Sequence, residues 1–217
     1  MTNGSWAKAL AIGVLAVAAL GAIVGCYKVE VSFELNERGL ISDTAVTLKT
    51  SHLEVYNLIK ARLLEGLKEY ELSEEDLEEL GVQFQEDPAQ SYSISASVPL
   101  DLIISSLEGR ASIAVEIGEE TITLRMVVDF AFIEEVEQEF GPDEVSRLLR
   151  LYGEPSFALI ITMPGEIIEH SHGEISKDGD TLIWIGKVLD LRGRGREELL
   201  VKSKLPPGRR PRREPRP

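Results

Sequence analysis

The chain has 217 residues, and its composition, 43% hydrophobic and 28% charged, is that of a globular protein. The net charge is −14, but residues 1–25 carry +1 and residues 205–217 carry +4, so that the stretch 26–204 carries −19. Such an acidic domain is a poor partner for nucleic acid, because phosphate contacts need a basic surface. The single cysteine, Cys26, excludes an intrachain disulfide and a cysteine-cluster metal site.

The first segment of the chain predicts a membrane attachment. Residues 9–25 are seventeen consecutive residues without a charged or polar side chain, and Lys8 precedes them. As a helix they would extend about 25 Å, slightly less than the hydrocarbon core of a bilayer. This length suits either the core of a signal peptide or a short membrane-anchor helix.

The residues before the cysteine favour the first of these interpretations. The sequence IVGC at 23–26 resembles a lipobox, in which small and aliphatic residues precede a cysteine that becomes acylated. Cys26 is therefore the predicted lipidation site. An uncleaved anchor helix, with Cys26 as a small apolar residue at the membrane edge, stays open, as does a buried helix of a soluble protein. The two membrane interpretations place residues 27–217 outside the cytoplasm, held at the cell membrane by an attached lipid or by the anchor helix, with membrane lipid as the partner of this N-terminal anchor.

Beyond the anchor the sequence predicts a series of strands and helices. Residues 27–36 alternate apolar and polar side chains, which predicts a half-buried strand, and a turn at 36–39 leads to its hairpin partner at 40–50. Helical spacing follows over 51–70, and a capping-box pattern at Ser73 starts a second short helix that ends before Gly81. Further helical turns are expected at 100–107 and 143–152, and further strands at 92–98, 111–117, 121–132, 157–163, on both sides of the turn 177–180, and at 197–204.

This order of elements predicts one α+β domain over residues 26–204, with a mainly antiparallel β-sheet and packed helices. The segment 1–25, a signal peptide or membrane-anchor helix, precedes the domain. Residues 205–217 hold five arginines between prolines and should form a disordered, extended tail.

Catalytic and metal motifs are missing from the sequence. It contains no P-loop and no GxSxG, HExxH or GxGxxG motif, so we expect neither an enzyme nor a bound cofactor. His170 and His172 would point to the same side of a strand and could share a metal with His52 or a carboxylate. An ordinary pair of surface histidines is the alternative, and we predict no metal site. The acidic run at 69–79 is interpreted as a solvated helix face, and the arginines at 192–196 as a basic turn.

Two stretches near the C-terminus carry a family resemblance. ITMPGEI at 161–167, followed by Gly173 and then DGDTLIW at 178–184, resembles the C-terminal signature of the LppM-type lipoprotein domain. Members of that family also begin with a lipobox cysteine and a hairpin, which Cys26 and the turn 36–39 match. The chain departs from the family in ending with an Arg/Pro tail instead of a second membrane helix, and in having His172 where asparagine is common.

The resemblance implies an extracytoplasmic, membrane-tethered α+β domain of a type that binds lipids or glycolipids. We therefore expect a membrane-anchored lipoprotein that binds such a ligand without catalysis. The alternative is a scaffold or interaction subunit with an envelope protein as partner. Trp184 either fills the core or lines a ligand cavity together with the apolar face of the 51–70 helix.

Overall fold

The computed structural model describes residues 27–67, 78, 81–87, 91–97, 99–106, 109–131, 134, 138, 141, 143, 146–147, 150, 154–191 and 193–205. Strands dominate these residues, with three helices between them. In chain order the elements are β1 (Tyr27–Leu35), β2 (Ile41–Thr50), α1 (Leu53–Leu67), β3 (Gln83–Asp87), β4 (Ser91–Ser97), α2 (Leu100–Ser106), β5 (Ala111–Ile117), β6 (Thr121–Asp129), β7 (Ser156–Thr162), β8 (Ile167–His170), β9 (Glu174–Ile175), β10 (Thr181–Lys187), the single turn α3 (Val188–Leu191) and β11 (Arg196–Lys204).

The strands form two sheets. Sheet A has the order β3-β4-β2-β1-β7-β10-β9, and sheet B has the order β5-β6-β11-β8. The pairing of β1 with β7 is parallel, and the other pairings are antiparallel. The structure thus confirms the predicted α+β class in so far as β-sheet dominates the domain. The structure differs from the prediction in having two sheets instead of one sheet covered by helices.

Sheet A has a continuous buried apolar face, which we call its inner face. Along β1 the side chains of Val29, Val31, Phe33 and Leu35 are buried, in the alternation that the sequence predicts. The register continues this face across the sheet, because Val31 lies beside Leu159 of β7. The opposite, outer face carries the polar side chains of β1.

The two sheets cover each other. Sheet B buries Ile122, Leu124 and Met126 from β6 and Val201 from β11, and these residues belong to the same hydrophobic cluster as the inner face of sheet A. Helix α1 packs on the β4 side of sheet A, where the Tyr56 and Tyr92 rings lie 5.4 Å apart. Packing face to face buries the inner apolar face of sheet A against that of sheet B.

The sandwich has two distinct ends. At the far end, the turn between β1 and β2 meets the end of β5, since a Cβ atom built on Gly39 would lie 2.9 Å from Ile117 Cδ1. At the opposite end the chain enters β1, and we call this the entry end. It is defined by the strand ends at Tyr27, Ser156, Lys187, Asp129 and Arg196.

Several sequence predictions lie outside the described residues. These are the anchor segment with Cys26, nearly all of the short helix after Ser73 and of the helix at 143–152, and the tail beyond Leu205. Of the helices that the structure describes, none combines the length and the apolar character needed to cross a bilayer.

Candidate functional site

An aromatic cleft lies between the sheets. The Trp184 ring is tilted by 40° to the Phe130 ring at 6.0 Å, and by 67° to the Phe157 ring at 5.9 Å. Such tilted and edge-on arrangements favour aromatic pairs beyond the burial of their area. Phe130 is buried, whereas Trp184 and Phe157 are only partly buried, so two of the three rings offer apolar surface to a ligand.

Three strands position these rings. Phe157 is the second residue of β7, and Trp184 on β10 lies opposite Leu159. Phe130 follows β6 directly, and its backbone N–H donates to the carbonyl of Gly195 over 2.9 Å. Buried Leu191 of α3 packs in one cluster with Phe130 and Trp184. All of these positions belong to the half of the sandwich at the entry end.

The mouth of the cleft is polar. Glu197 lies between the side chains of His172 and Arg194, with its Oε2 3.8 Å from His172 Nε2 and its Oε1 3.8 Å from Arg194 Nη1. Arg194 is held in place because its Nε donates to the carbonyl of Asp190 over 2.5 Å. The site therefore combines an apolar aromatic floor with a charged rim, the arrangement that suits an amphiphilic ligand.

The cleft is small in this conformation. Its interior measures about 30 Å³, which is room for about two water molecules. An acyl chain is larger than this volume, so its entry requires the cleft to widen. Trp184 thus lines a cleft, as one of the two predictions had it, but none of the described residues of α1 lines it.

The histidine pair does not form a metal site among the described residues. Strand β8 ends at His170, so the two rings are no longer held on one side of a strand, and His170 Nδ1 lies 3.4 Å from the carbonyl oxygen of His172. No group of three potential ligands is present in the part of the chain that the structure describes. His172 contributes to the rim of the cleft instead.

A second polar group lies on the outer face of sheet A at the entry end. The side chain of Glu30 is only 15% exposed, and it forms ion pairs with Lys28 at 2.7 Å and with Lys49. Partial burial raises the pKa of Glu30, but the hydrogen bonds and charges of the two lysines outweigh it. The net result is a pKa below the ordinary value.

The lowered pKa of Glu30 predicts a pH-dependent stability. Above pH 4.5, the ordinary value, ionised Glu30 should stabilise the fold by about 1 kcal/mol relative to Glu30→Gln. As the pH falls below 4.5 and through the folded-state pKa, that advantage should disappear. Urea unfolding of both forms across this range measures it, with Glu34→Gln on the same face of β1 as the control for a lost charge. An advantage that persists unchanged at pH 2 would contradict the prediction.

Comparisons with known proteins add a similarity of structure. No family model and no curated protein matches the chain. The chain is similar to the NMR structure of the folded domain of LppM from Mycobacterium tuberculosis, with 8% sequence identity, a TM-score of 0.42 and coverage of 83% of this chain and 91% of that one. A similarity of this degree bears on neither ligand nor activity, so the functional argument rests on the site.

Sequence reasoning found only part of this site. It singled out Trp184 and His172, but it treated Phe157 as part of a central strand and Arg194 as part of a basic turn. Phe130 was not singled out. The available signal was that a phenylalanine directly follows the alternating residues of β6. This position does not by itself show that the ring faces another strand.

Proposed function

We propose that the chain is a membrane-anchored extracytoplasmic lipoprotein of the LppM type, whose domain binds a lipid or glycolipid and catalyses no reaction. The observation that carries the proposal is the aromatic cleft with its charged rim. Aromatic rings offer surface to an apolar chain, while Arg194, His172 and Glu197 offer hydrogen bonds and charge to a polar headgroup.

The position of the cleft supports a ligand that comes from the membrane. Strand β1 begins at Tyr27, one residue after the predicted lipidation site Cys26, so the entry end would lie next to the bilayer. The cleft belongs to that same half of the sandwich. A lipid leaving the outer leaflet would therefore travel a short distance to reach it.

Native mass spectrometry of the full chain extracted in detergent tests this proposal. The wild-type protein should carry an additional mass of a co-purified lipid, and Trp184→Ala should reduce the lipid-bound fraction at least tenfold. Ile185→Ala is the matched control, because Ile185 is the next residue of β10, faces the opposite side and is 58% exposed. Circular dichroism verifies that both variants fold. A wild-type protein without bound lipid, or a Trp184→Ala protein that retains it, would contradict the proposal.

A second candidate function is that of an interaction subunit in an envelope complex. It is favoured by an apolar patch on the outer face of sheet A, where Ile183 lies beside Ile160 and Ile185 projects one row away. Exposed apolar patches of this kind are typical of protein contacts. Under this alternative, Ile185→Asp would release a partner protein that Trp184→Ala retains.

A further inference from the structure

Three lysines lie in one row across the outer face of sheet A. Lys28 of β1 is directly opposite Lys49 of β2, and on its other side Ser156 of β7 separates it from Lys187 of β10. Their side chains are 36%, 46% and 63% exposed. Like charges directly opposite each other destabilise a sheet, and Glu30 offsets this repulsion by pairing with both Lys28 and Lys49.

The row stands at the entry end of the sandwich. Lys28 is the second residue of β1, so its Cα lies about 7 Å along the strand from residue 26, at about 3.3 Å per residue. The apolar run 9–25 ends immediately before that residue. On the proposed function, on which this inference rests, the lysine row is then within about one Debye length of the headgroups, roughly 8 Å at physiological salt.

The charges near the row are arranged differently from those of the rest of the domain. Glu30 pairs with two of the lysines and Glu154 with the third at 3.5 Å, which leaves three cations against two carboxylates. The far end instead carries Glu119, Glu120 and Glu166 around its turns, and of these Glu166 pairs with Lys204 at 2.6 Å. An anionic bilayer would attract the lysine row and repel the far end.

We infer that the lysine row formed by Lys28, Lys49 and Lys187 contacts the anionic phosphate headgroups of the bilayer that holds the anchor. Each ammonium group retains donors beyond its carboxylate partner, because lysine has three N–H bonds. These contacts hold the domain upright, with the entry end against the membrane and the far end away from it. The mouth of the cleft then stays at the membrane surface.

The test uses the full chain in vesicles of phosphatidylcholine alone or mixed with phosphatidylglycerol. The chain has two tryptophans, so a Trp6→Phe background leaves Trp184 as the probe of the entry end. Quenching of its fluorescence by headgroup-labelled nitroxide lipid should be stronger in the anionic vesicles and weaken with salt. Lys28→Gln/Lys49→Gln/Lys187→Gln should lose this anionic-lipid dependence, and the corresponding three arginine substitutions should restore it.

Lysines at the far half of the molecule supply the matched control. Lys177→Gln/Lys202→Gln/Lys204→Gln removes the same charge, and two of these lysines also pair with glutamates. This variant should retain the full anionic-lipid dependence. Unchanged quenching in the first triple variant, with the protein still floating with the vesicles, would overturn the lysine-row contact alone. Failure of the wild-type chain to float with vesicles would overturn the membrane anchor and this contact together.

Discussion

A Cys26→Ser variant is expected to lose acylation completely and to accumulate as the unprocessed precursor. The thiol is the group that accepts the lipid in a lipobox, and a serine hydroxyl is a far weaker nucleophile at neutral pH because so little of it is ionised. Intact-mass measurement of the extracted protein reads the result directly, since lipid attachment and removal of the preceding residues change the mass in opposite directions.

Controls for this variant separate the two membrane interpretations. Gly25→Ala keeps a small residue before the cysteine and should be processed like the wild type. If Cys26→Ser has the same mass, cleavage and membrane fractionation as the wild type, the lipobox interpretation is wrong and the uncleaved helix at 9–25 is the anchor. Under either interpretation the domain would follow its anchor without a linker, because strand β1 starts at Tyr27.

The elements that the sequence predicts best are those that local pattern determines. The alternation in β1 predicts which side chains are buried, and the structure buries them. Its hairpin turn follows from Asn36, whose side-chain oxygen accepts the N–H groups of Arg38 and Leu40. The continuous apolar run at 157–163 predicts a central strand, and β7 lies between β1 and β10.

Features that depend on distant pairings could not be predicted in this way. Period-two alternation indicates a strand but not the strand with which it pairs. The division into two sheets could therefore not be predicted. Strand β3 was missed because it is an edge strand with mostly exposed side chains, and its pairing comes from β4. The aromatic cleft was predicted through Trp184 alone, because its three rings come from separate parts of the chain.

The folded structure explains why glycine is required at position 173. Gly173 lies in the connection between β8 and β9, next to His172 at the rim of the cleft, with a φ of +92°. A Cβ atom there would lie 2.8 Å from the carbonyl oxygen of Ile183, a backbone atom of the strand β10 that also carries Trp184. Backbone cannot move aside as the end of a side chain can, so an alanine must displace the connection.

Gly179 provides a matched control for this site. Its φ is +80°, but a Cβ atom there meets nothing within 4 Å, so alanine incurs only the cost of the left-handed backbone. We expect Gly179→Ala to lower the free energy of unfolding by about 1 kcal/mol. Gly173→Ala should lower it by about 3 kcal/mol, because the contact with Ile183 adds to the same backbone cost. Urea unfolding of the detergent-solubilised full chain gives both values. Equal losses of unfolding free energy would contradict the prediction, because they would mean that the connection beside the cleft shifts without cost.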